Sequence, residues 1–235
     1  MNDKYIRKNK HGLYYIPDDQ LHRPVAAVVA KGKVWEEQTI NFIIDNLDNK
    51  SVITAGAYYG DFIPAISKET NGTVFTYEPV PKLFECAKKT IDLNKLHNVI
   101  IENKALSNKS GYVTVELMGK RNDLFGKRGE EIVFELGGAS RIVSNTSPTT
   151  IEVESATLDS LIPNDCEISV IHLDVEGHEN EALEGAMQLI KNNLPIIIVE
   201  TFSSSFFEKH LAPLGYICNE RVHDNTILKN DQPRA

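Results

Sequence analysis

Several ionisable side chains are crowded into one short segment in the second half of the chain. Asp174, Glu176, His178 and Glu179 lie within six residues, directly after the apolar run 169–173. Such crowding raises the free energy of the charged forms, and it is typical of sites that use charge for proton transfer or for holding a cation. We therefore take Asp174, Glu176 and His178 as candidate catalytic residues. For Glu179 we prefer a simpler interpretation, an acidic residue in the first turn of a helix.

A turn of small residues follows an apolar segment in the first half of the chain. Gly56 and Gly60 let the backbone approach a ligand, and free N–H groups at the start of the next helix can bind it. The two glycines are four residues apart, which is not the G-x-G-x-x-G spacing, so a tight structural turn explains them equally well. The residues of this turn expected to contact a cofactor are Ala55, Gly56, Ala57, Tyr59 and Gly60.

A further candidate group follows the next two apolar segments. Glu78 lies 22 residues beyond Gly56, a spacing at which an acidic side chain accepts hydrogen bonds from ribose hydroxyls, and Pro79 continues that loop. The alternative for Glu78 is an ordinary surface glutamate. Asn103 and Ala105 follow the third strand at the level where an adenine edge would arrive, although a plain turn residue explains Asn103 equally well.

The elements that position these residues alternate along the chain. The predicted strands are 51–56, 73–78, 99–102, 169–174 and 195–200, and the predicted helices are 34–47, 61–69, 82–93, 180–192 and 205–211. Strands separated by helices of this length predict parallel β-α-β units in a doubly wound sheet. The carboxyl ends of such strands share one edge of the sheet, where the candidate side chains would meet.

Two parts of the chain depart from this alternation. Segments 111–117 and 131–136 have period two and predict an inserted antiparallel hairpin, and two short strands at 216–221 and 226–229 close the chain. We therefore predict an α/β fold with a Rossmann-like, doubly wound, mostly parallel sheet, an inserted β-hairpin flap and an antiparallel C-terminal edge strand. Residues 1–33 are expected to form an irregular N-terminal arm packed on one domain at 34–235, which carries the insertion at about 111–150.

Composition restricts the class of protein. The 235 residues carry 25 basic and 33 acidic side chains, so the net charge of −8 repels a phosphate backbone and disfavours nucleic acid as a partner. The basic residues between 120 and 131 alternate with acids and predict a solvated, mobile loop.

Three cysteines without C-x-x-C spacing disfavour a disulfide framework or a zinc site. The polar N-terminus and the lack of long apolar segments predict no membrane span and a cytoplasmic location.

Taken together, these motifs resemble the FkbM-type methyltransferases, a branch of the class I S-adenosylmethionine-dependent enzymes. The similarity covers most of the chain. Its most specific part is Asp-Val-Glu-Gly-His-Glu at 174–179 with Leu-Glu-Gly-Ala at 183–186, and the glycine turn is its least specific part. The other segments that carry the resemblance are 35–36, 56–60, 77–81, 103–107, 156–159 and 196–200.

The resemblance implies a part of S-adenosylmethionine for each candidate residue. Gly56 and Gly60 would face the methionine end, Glu78 the ribose, Asn103 and Ala105 the adenine, Glu36 the cofactor mouth, and Asp174 the amino group or reacting methyl. Two positions depart from the family pattern. Members usually carry Asp where this chain has Thr54 and Asn where it has Tyr58, and both changes remove groups that normally help to hold the cofactor.

The expected function is methyl transfer from S-adenosylmethionine to a hydroxyl of a sugar, a polyketide or another small molecule. His178 or Glu176 would act as the base, and Asp174 with Glu176 could instead hold magnesium, although we assign no metal site. Two other classes stay open at this point. A nicotinamide-dependent oxidoreductase would share the glycine turn and Glu78, and a degenerate, non-catalytic module would bind a partner through the flap at 111–145.

Overall fold

The computed structural model describes residues 3–122, 131–135 and 139–231. The helices are α1 (Pro24–Ala30), α2 (Glu37–Asp45), α3 (Ile63–Glu69), α4 (Pro81–Asn94), α5 (Leu158–Leu161), α6 (Glu179–Glu184), α7 (Met187–Asn193) and α8 (Ser204–Phe206). The strands are β1 (Ile6–Asn9), β2 (Gly12–Tyr15), β3 (Ser51–Ala55), β4 (Val74–Tyr77), β5 (Val99–Glu102), β6 (Ala105–Leu106), β7 (Gly111–Glu116), β8 (Met118–Asn122), β9 (Glu131–Glu135), β10 (Arg141–Val143), β11 (Thr150–Ala156), β12 (Ile168–Leu173), β13 (Ile196–Val199), β14 (Tyr216–Val222) and β15 (Asn225–Asn230).

A seven-stranded sheet with the order β14-β15-β13-β12-β3-β4-β5 forms the centre of the molecule. Every residue of β3, β4, β12 and β13 is buried, because helices cover both faces of a parallel sheet. Strand β15 is antiparallel to both of its neighbours, and it lies one position inside the edge strand β14. The predicted fold class is confirmed.

The order of strands reverses between β3 and β12, which are parallel neighbours with His172 opposite Thr54 and Leu173 opposite Ala55. The chain runs from β3 toward β4 on one side and continues from β12 toward β13 on the other. A crevice opens outside the carboxyl ends of the strands at such a reversal, and α/β sheets bind their ligands there.

The helix predicted at 180–192 is two helices, α6 and α7, with Gly185 between them. The backbone passes very close to Ser107 at this point, since a Cβ atom on Gly185 would lie 2.1 Å from the Ser107 carbonyl oxygen. The Gly185 carbonyl accepts a 2.9 Å hydrogen bond from the N–H of Asp159. The predicted helix is interrupted at Gly185 because the Gly185 carbonyl bonds to Asp159 instead of continuing the helix and because the backbone packs closely on Ser107.

The predicted pairing of the inserted hairpin was wrong. Strand β7 pairs with β10 and β11 in a four-stranded sheet of order β10-β7-β11-β6, whereas β9 pairs with β8. Period-two alternation identifies a half-buried strand but does not select its partner, and β8 begins immediately after β7. Most of the loop predicted at 120–131 lies outside the described residues.

The prediction of an irregular N-terminal arm was also wrong, since this segment contains the hairpin β1–β2 and the helix α1. Asn94 binds both backbone groups of Leu13, and the N–H of Tyr15 donates to the Thr90 hydroxyl. Tyr14 and Ile16 are fully buried. The arm is therefore held against helix α4. None of the helices within the described ranges is long and apolar enough to cross a membrane.

Candidate active site

A cavity of about 580 Å³ opens at the carboxyl ends of β3, β4, β12 and β13. Its size suits a nucleoside-containing small molecule. The described residues that line it are Arg23, Pro24, Val25, Trp35, Glu36, Thr54, Gly56, Ala57, Tyr58, Asp61, Phe62, Ile63, Thr76, Glu78, Ala139, His172, Asp174, Glu176, Glu200, His223, Asp224 and Asn225. The sheet supplies the floor, and the N-terminal arm and the β14–β15 turn supply opposite walls.

The turn after β3 is pressed against the end of β12. Gly56 has a positive φ of 86°, and a Cβ atom there would lie 2.0 Å from the carbonyl oxygen of Asp174. The N–H groups of Gly56 and Ala57 both donate to the carbonyl of Tyr77 at 3.1 Å. Only glycine fits both the left-handed conformation and the close approach, so Gly56 sets the distance between the turn and Asp174.

Glu78 directly follows β4 and is buried, which excludes the alternative of an ordinary surface glutamate, and its contact with ribose stays a prediction. Its two carboxylate oxygens accept hydrogen bonds from the N–H of Tyr58 at 2.8 Å and from the N–H of Val80 at 2.9 Å. Burial raises the pKa of Glu78 to about 7, although these two hydrogen bonds act in the opposite direction. Each oxygen keeps lone pairs for a hydroxyl donor from the cavity.

The predicted adenine contacts lie beside the cavity. Ala105 and Pro79 line a smaller pocket that shares Gly56, Glu78, Asp174 and Glu176 with the main cavity. The side-chain amide of Asn103 instead donates to the carbonyl oxygens of Glu78 at 2.7 Å and Pro79 at 3.0 Å. Asn103 is thus placed to hold the β4–α4 loop, and a direct contact of its side chain with adenine stays a prediction.

The remaining residues of the glycine turn have different surroundings. Ala55 is the last, buried residue of β3 and lines the smaller pocket. Tyr59 and Gly60 are not among the described residues that line the main cavity. The Tyr59 ring is fully buried, and its hydroxyl donates to Gln20 of the N-terminal arm at 2.9 Å. Gly60 has a positive φ of 79° and completes the turn with an N–H bond to the carbonyl of Ala57.

Carboxylates converge on the end of β12. Asp174 is open to the cavity but enclosed by its walls, and this burial, together with the nearby Glu176 and Glu200, raises its pKa well above the usual range. Burial and the charge of Glu200 likewise raise the pKa of Glu176 to about 7. A carboxyl group with the pKa of Glu176 exchanges protons readily near neutral pH.

Glu36 reaches the same cavity from the segment before α2, as predicted for the cofactor mouth. Its backbone is left-handed, with φ of 43°, and its Oε2 accepts hydrogen bonds from Thr39 at 3.1 Å and Asn225 at 3.0 Å. His223 lies 3.8 Å from its other oxygen. These contacts connect the mouth to the C-terminal strands.

His178 is turned away from the main cavity. Its Nε2 lies 3.1 Å from the Ser107 hydroxyl, and its Nδ1 lies 3.6 Å from a carboxylate oxygen of Glu181. Burial lowers the pKa of His178 against the opposing effect of Glu181. The imidazole is not among the described residues that line the main cavity or the smaller pocket, and its role as the base stays a prediction.

Glu179 is almost fully buried and organises the site loop. One of its oxygens accepts from the N–H groups of Val175 and Gly177 at 3.4 and 3.3 Å, and the other accepts from the Thr201 hydroxyl at 2.8 Å. The expected position at a helix start is correct, because α6 begins at Glu179. Its carboxylate additionally fixes the loop that carries Asp174 and Glu176.

Sequence reasoning singled out Thr54 of the cavity floor as a departure from the family pattern, but it did not select its polar neighbours His172 and Thr76. His172, Thr54 and Thr76 lie side by side across β12, β3 and β4, and the Thr54 hydroxyl is 3.0 Å from Nδ1 of His172. Burial lowers the pKa of His172 to about 4, and Phe62 stacks on its ring. Burial also raises the pKa of the lining residue Asp61 to about 7. Polar residues inside otherwise apolar strands were the signal that could have revealed the floor.

Within the ranges that the structure describes, no group of three or more His, Cys, Asp and Glu side chains is arranged to hold a metal ion.

The chain was compared with known families, curated proteins and solved structures. The sequence model of the methyltransferase FkbM domain matches residues 55–222. No functionally curated protein shows significant sequence similarity to the chain.

Three of the similar crystal structures illustrate the range of solved relatives. Methyltransferase FkbM from Methylobacillus flagellatus KT is 14% identical, over 76% of this chain and 42% of that chain, with a TM-score of 0.49. A SAM-dependent O-methyltransferase from Thermotoga maritima is 11% identical, over 85% and 67%, with a TM-score of 0.47. A putative rRNA-methylase from Clostridium thermocellum is 14% identical, over 83% and 94%, with a TM-score of 0.46. This chain therefore spans less than half the length of the first of these proteins.

The described residues fit S-adenosylmethionine, the cofactor of this family. Glu78 lies at the end of β4 with lone pairs for a ribose diol, and Gly56 leaves room for a ligand beside Asp174. Carboxylates suit the cationic ammonium and sulfonium groups. The family match covers more than two thirds of the chain. It includes Thr76 and His172, two of the three residues of the cavity floor. The chain belongs to the FkbM methyltransferase domain family.

Proposed function

We propose that this protein transfers a methyl group from S-adenosylmethionine to a hydroxyl group of a small acceptor such as a sugar or a polyketide. The observation that carries the proposal is the pair Asp174 and Glu176, whose carboxyl groups line the cavity next to the glycine turn, where Glu176 with a pKa of about 7 can accept a proton. A hydroxyl is a weak nucleophile unless a base removes its proton. The acidic walls also disfavour a polyanionic acceptor such as nucleic acid.

Glu176 is the base in this proposal. It lines both the main cavity and the smaller pocket, so it borders the space between the cofactor and the inserted sheet. A carboxyl group with a pKa of about 7 is largely ionised at slightly alkaline pH and still binds a proton strongly enough to take it from a reacting hydroxyl. His178, the other predicted base, faces Ser107 instead.

S-Adenosylmethionine, when bound, supplies a methyl group on a positively charged sulfur that becomes a neutral thioether when the methyl leaves. Glu176 accepts the proton that the acceptor hydroxyl releases as its oxygen bonds to the methyl carbon. The electron pair of the broken carbon–sulfur bond stays on sulfur, so charge and atoms balance. Asp174, with Glu200 and Glu36 nearby, favours cationic groups at this end of the cavity.

The remaining lining residues align the reactants and exclude water. Trp35, Tyr58 and Phe62 supply aromatic walls, and the arm residues Pro24 and Val25 cover one side. Methyl transfer requires in-line alignment of oxygen, carbon and sulfur, so confinement contributes much of the rate enhancement. Thr54 and Tyr58, which depart from the family pattern, both line this cavity.

The first test is binding of S-adenosylmethionine and of its demethylated product by calorimetric titration. Turnover would then be followed as formation of the demethylated product with a panel of monosaccharides and hydroxylated polyketides. We expect binding of both cofactor forms and turnover with at least one hydroxyl acceptor. Absence of binding would favour a degenerate module, and binding without turnover on any hydroxyl, but with turnover on amines, would refute transfer to oxygen.

The assignment of the base is tested with Glu176→Gln and with His178→Gln as the matched control. Glu176→Gln should lower kcat by about 10²–10⁴-fold with little change in cofactor affinity. In the unaltered protein kcat should rise with pH through about 7, because Glu176 must be deprotonated to act, and this acidic limb should vanish in the variant. A large loss of kcat in His178→Gln with Glu176→Gln unaffected would reverse the assignment.

A further inference from the structure

Arg23 places a guanidinium group in the wall of an otherwise acidic cavity. It is the N-cap residue of α1 within the N-terminal arm, and it is among the residues that line the cavity. Its Nε and Nη2 atoms are buried, and neither has a hydrogen-bond partner among the described residues. Buried polar groups in folded proteins are nearly always hydrogen-bonded, and a buried cation without a partner is particularly unfavourable. These unused donors point to a ligand.

The charges around Arg23 indicate what kind of ligand group it takes. Seven carboxylate residues line the cavity, namely Glu36, Asp61, Glu78, Asp174, Glu176, Glu200 and Asp224. Across the described part of the chain, none of these forms an ion pair with Arg23. Arg23 is the single arginine or lysine among the described residues that line the cavity, so it is the side chain there that attracts an anionic group of a bound ligand most strongly.

The location of Arg23 near the glycine turn indicates which anionic group of a ligand it binds. Its charge acts on Tyr58, where it partly offsets the burial that raises the pKa of the Tyr58 phenol to about 12. The backbone N–H of the same Tyr58 binds Glu78, the expected ribose acceptor. Arg23, Tyr58 and Glu78 therefore line one cavity, with Tyr58 in contact with Glu78 and within the electrostatic influence of Arg23.

We propose that Arg23 binds the α-carboxylate of the amino-acid part of S-adenosylmethionine. The inference rests on the proposed function and adds a cofactor-binding residue to it. That carboxylate is the single anionic group of the cofactor, and a planar guanidinium binds a carboxylate through two parallel hydrogen bonds. Arg23 lies outside residues 55–222, so the arm completes a site that the family domain forms only in part.

The experiment compares two ligands and three variants by calorimetric titration. S-Adenosylhomocysteine carries the amino-acid part, whereas 5′-methylthioadenosine has the same nucleoside and thioether without it. Arg23→Gln should bind S-adenosylhomocysteine about 10–100-fold more weakly and 5′-methylthioadenosine unchanged. Arg23→Lys, which keeps the charge but not the fork, should give an intermediate loss. Arg7→Gln removes an arginine of the same arm that pairs with Asp18, and it should change neither affinity.

The outcomes separate this inference from the proposed function. An equal loss for both ligands, or no loss for S-adenosylhomocysteine, would overturn the assignment of Arg23 to the carboxylate. Failure of the unaltered protein to bind either ligand would overturn the proposed function and this inference with it. Retained binding of 5′-methylthioadenosine shows that a variant is folded. If Arg23→Gln unfolds, Arg23→Lys provides the test. Weaker binding of S-adenosylhomocysteine with unchanged binding of 5′-methylthioadenosine supports the assignment, and equal changes for the two ligands overturn it.

Discussion

Glu78 both holds the backbone around the cavity and faces the cavity itself. It accepts two backbone N–H bonds that hold the turn after β3 and the loop before α4, and it also faces the cavity. A residue that shapes the site and contacts the ligand affects binding in both ways when it is changed. Its mutation should therefore cost more than one hydrogen bond to ribose.

At this scale we predict that Glu78→Ala weakens binding of S-adenosylmethionine and of its product by about 1.5–3 kcal/mol or more, because a charge-assisted pair of hydrogen bonds is lost. Calorimetric titration of both ligands measures the loss. Glu69→Gln, which changes an exposed acid at the end of α3, serves as the control. Unchanged affinity in Glu78→Ala would remove Glu78 from the cofactor site.

Between elements, the critical contact joins the turn after β3 to the loop after β12. Gly56 touches the backbone of Asp174 there, and Glu179 holds the same loop through Val175 and Gly177. Neither contact belongs to a helix or a strand ladder, yet together they set the distance between the two halves of the cavity. Substitutions at these points should alter geometry as well as stability.

The pair Gly56→Ala and Gly177→Ala separates backbone strain from steric overlap. Both glycines have positive φ, 86° and 89°, but a Cβ atom on Gly177 meets nothing within 4 Å. Gly177→Ala should therefore cost about 1 kcal/mol of stability from strain alone. Gly56→Ala should cost clearly more and abolish cofactor binding, because Asp174 must move. Equal losses of stability in chemical denaturation would contradict this account.

Glu179→Ala provides a second test at the scale of elements. Removal of this buried carboxylate leaves two backbone N–H groups and the Thr201 hydroxyl without their acceptor. The expected loss is about 2–4 kcal/mol in the free energy of unfolding, since buried donors would lose a charged acceptor. Glu184→Ala, at the exposed end of α6, is the matched control and should change stability little. Denaturant midpoints of the two variants measure the difference.

Across the whole molecule, raised carboxylate pKa values link stability to pH in an unusual direction. Asp61, Glu78 and Glu176 each have a pKa of about 7 in the folded protein, above the value of an unfolded carboxyl. The folded state therefore binds more protons than the unfolded state between about pH 4 and pH 7. The lowered pKa values of His11, His172 and His178 act in the opposite direction, whereas the raised pKa values of Asp174 and Glu200 add to the effect of the three carboxyls, so the raised carboxyl groups are in the majority.

We predict that the ligand-free protein is more stable at pH 5.5 than at pH 8, with Tm higher by on the order of 5 °C. The stability contributed by the raised carboxyls is present at low pH and is lost as pH rises through about 7. Thermal unfolding across this range measures the effect. Glu78→Gln should flatten the dependence, because an amide does not titrate, and a Tm that falls steadily from pH 8 to pH 5.5 would refute the prediction.

The order of elements and the location of the site followed from the sequence. Buried apolar runs that alternate with helical segments specify a parallel sheet, and the residue after each strand must lie at one edge whatever the details of packing. Gly56, Glu78, Asp174 and Glu176 therefore line one cavity, as their positions after strands implied. In the crowded motif at 174–179, Glu179 starts a helix as predicted and Asp174 and Glu176 line the cavity, whereas His178 is not among its described lining residues.

Tertiary contacts decided what strand periodicity could not. His178 and Glu176 are two residues apart, yet packing against Ser107 turns one away while the other faces the cavity. The partner of β7 and the approach of Arg23 to the cavity depend on segments distant in sequence. Local pattern determines which face or end of an element a residue occupies, whereas its final neighbours depend on how separate elements pack.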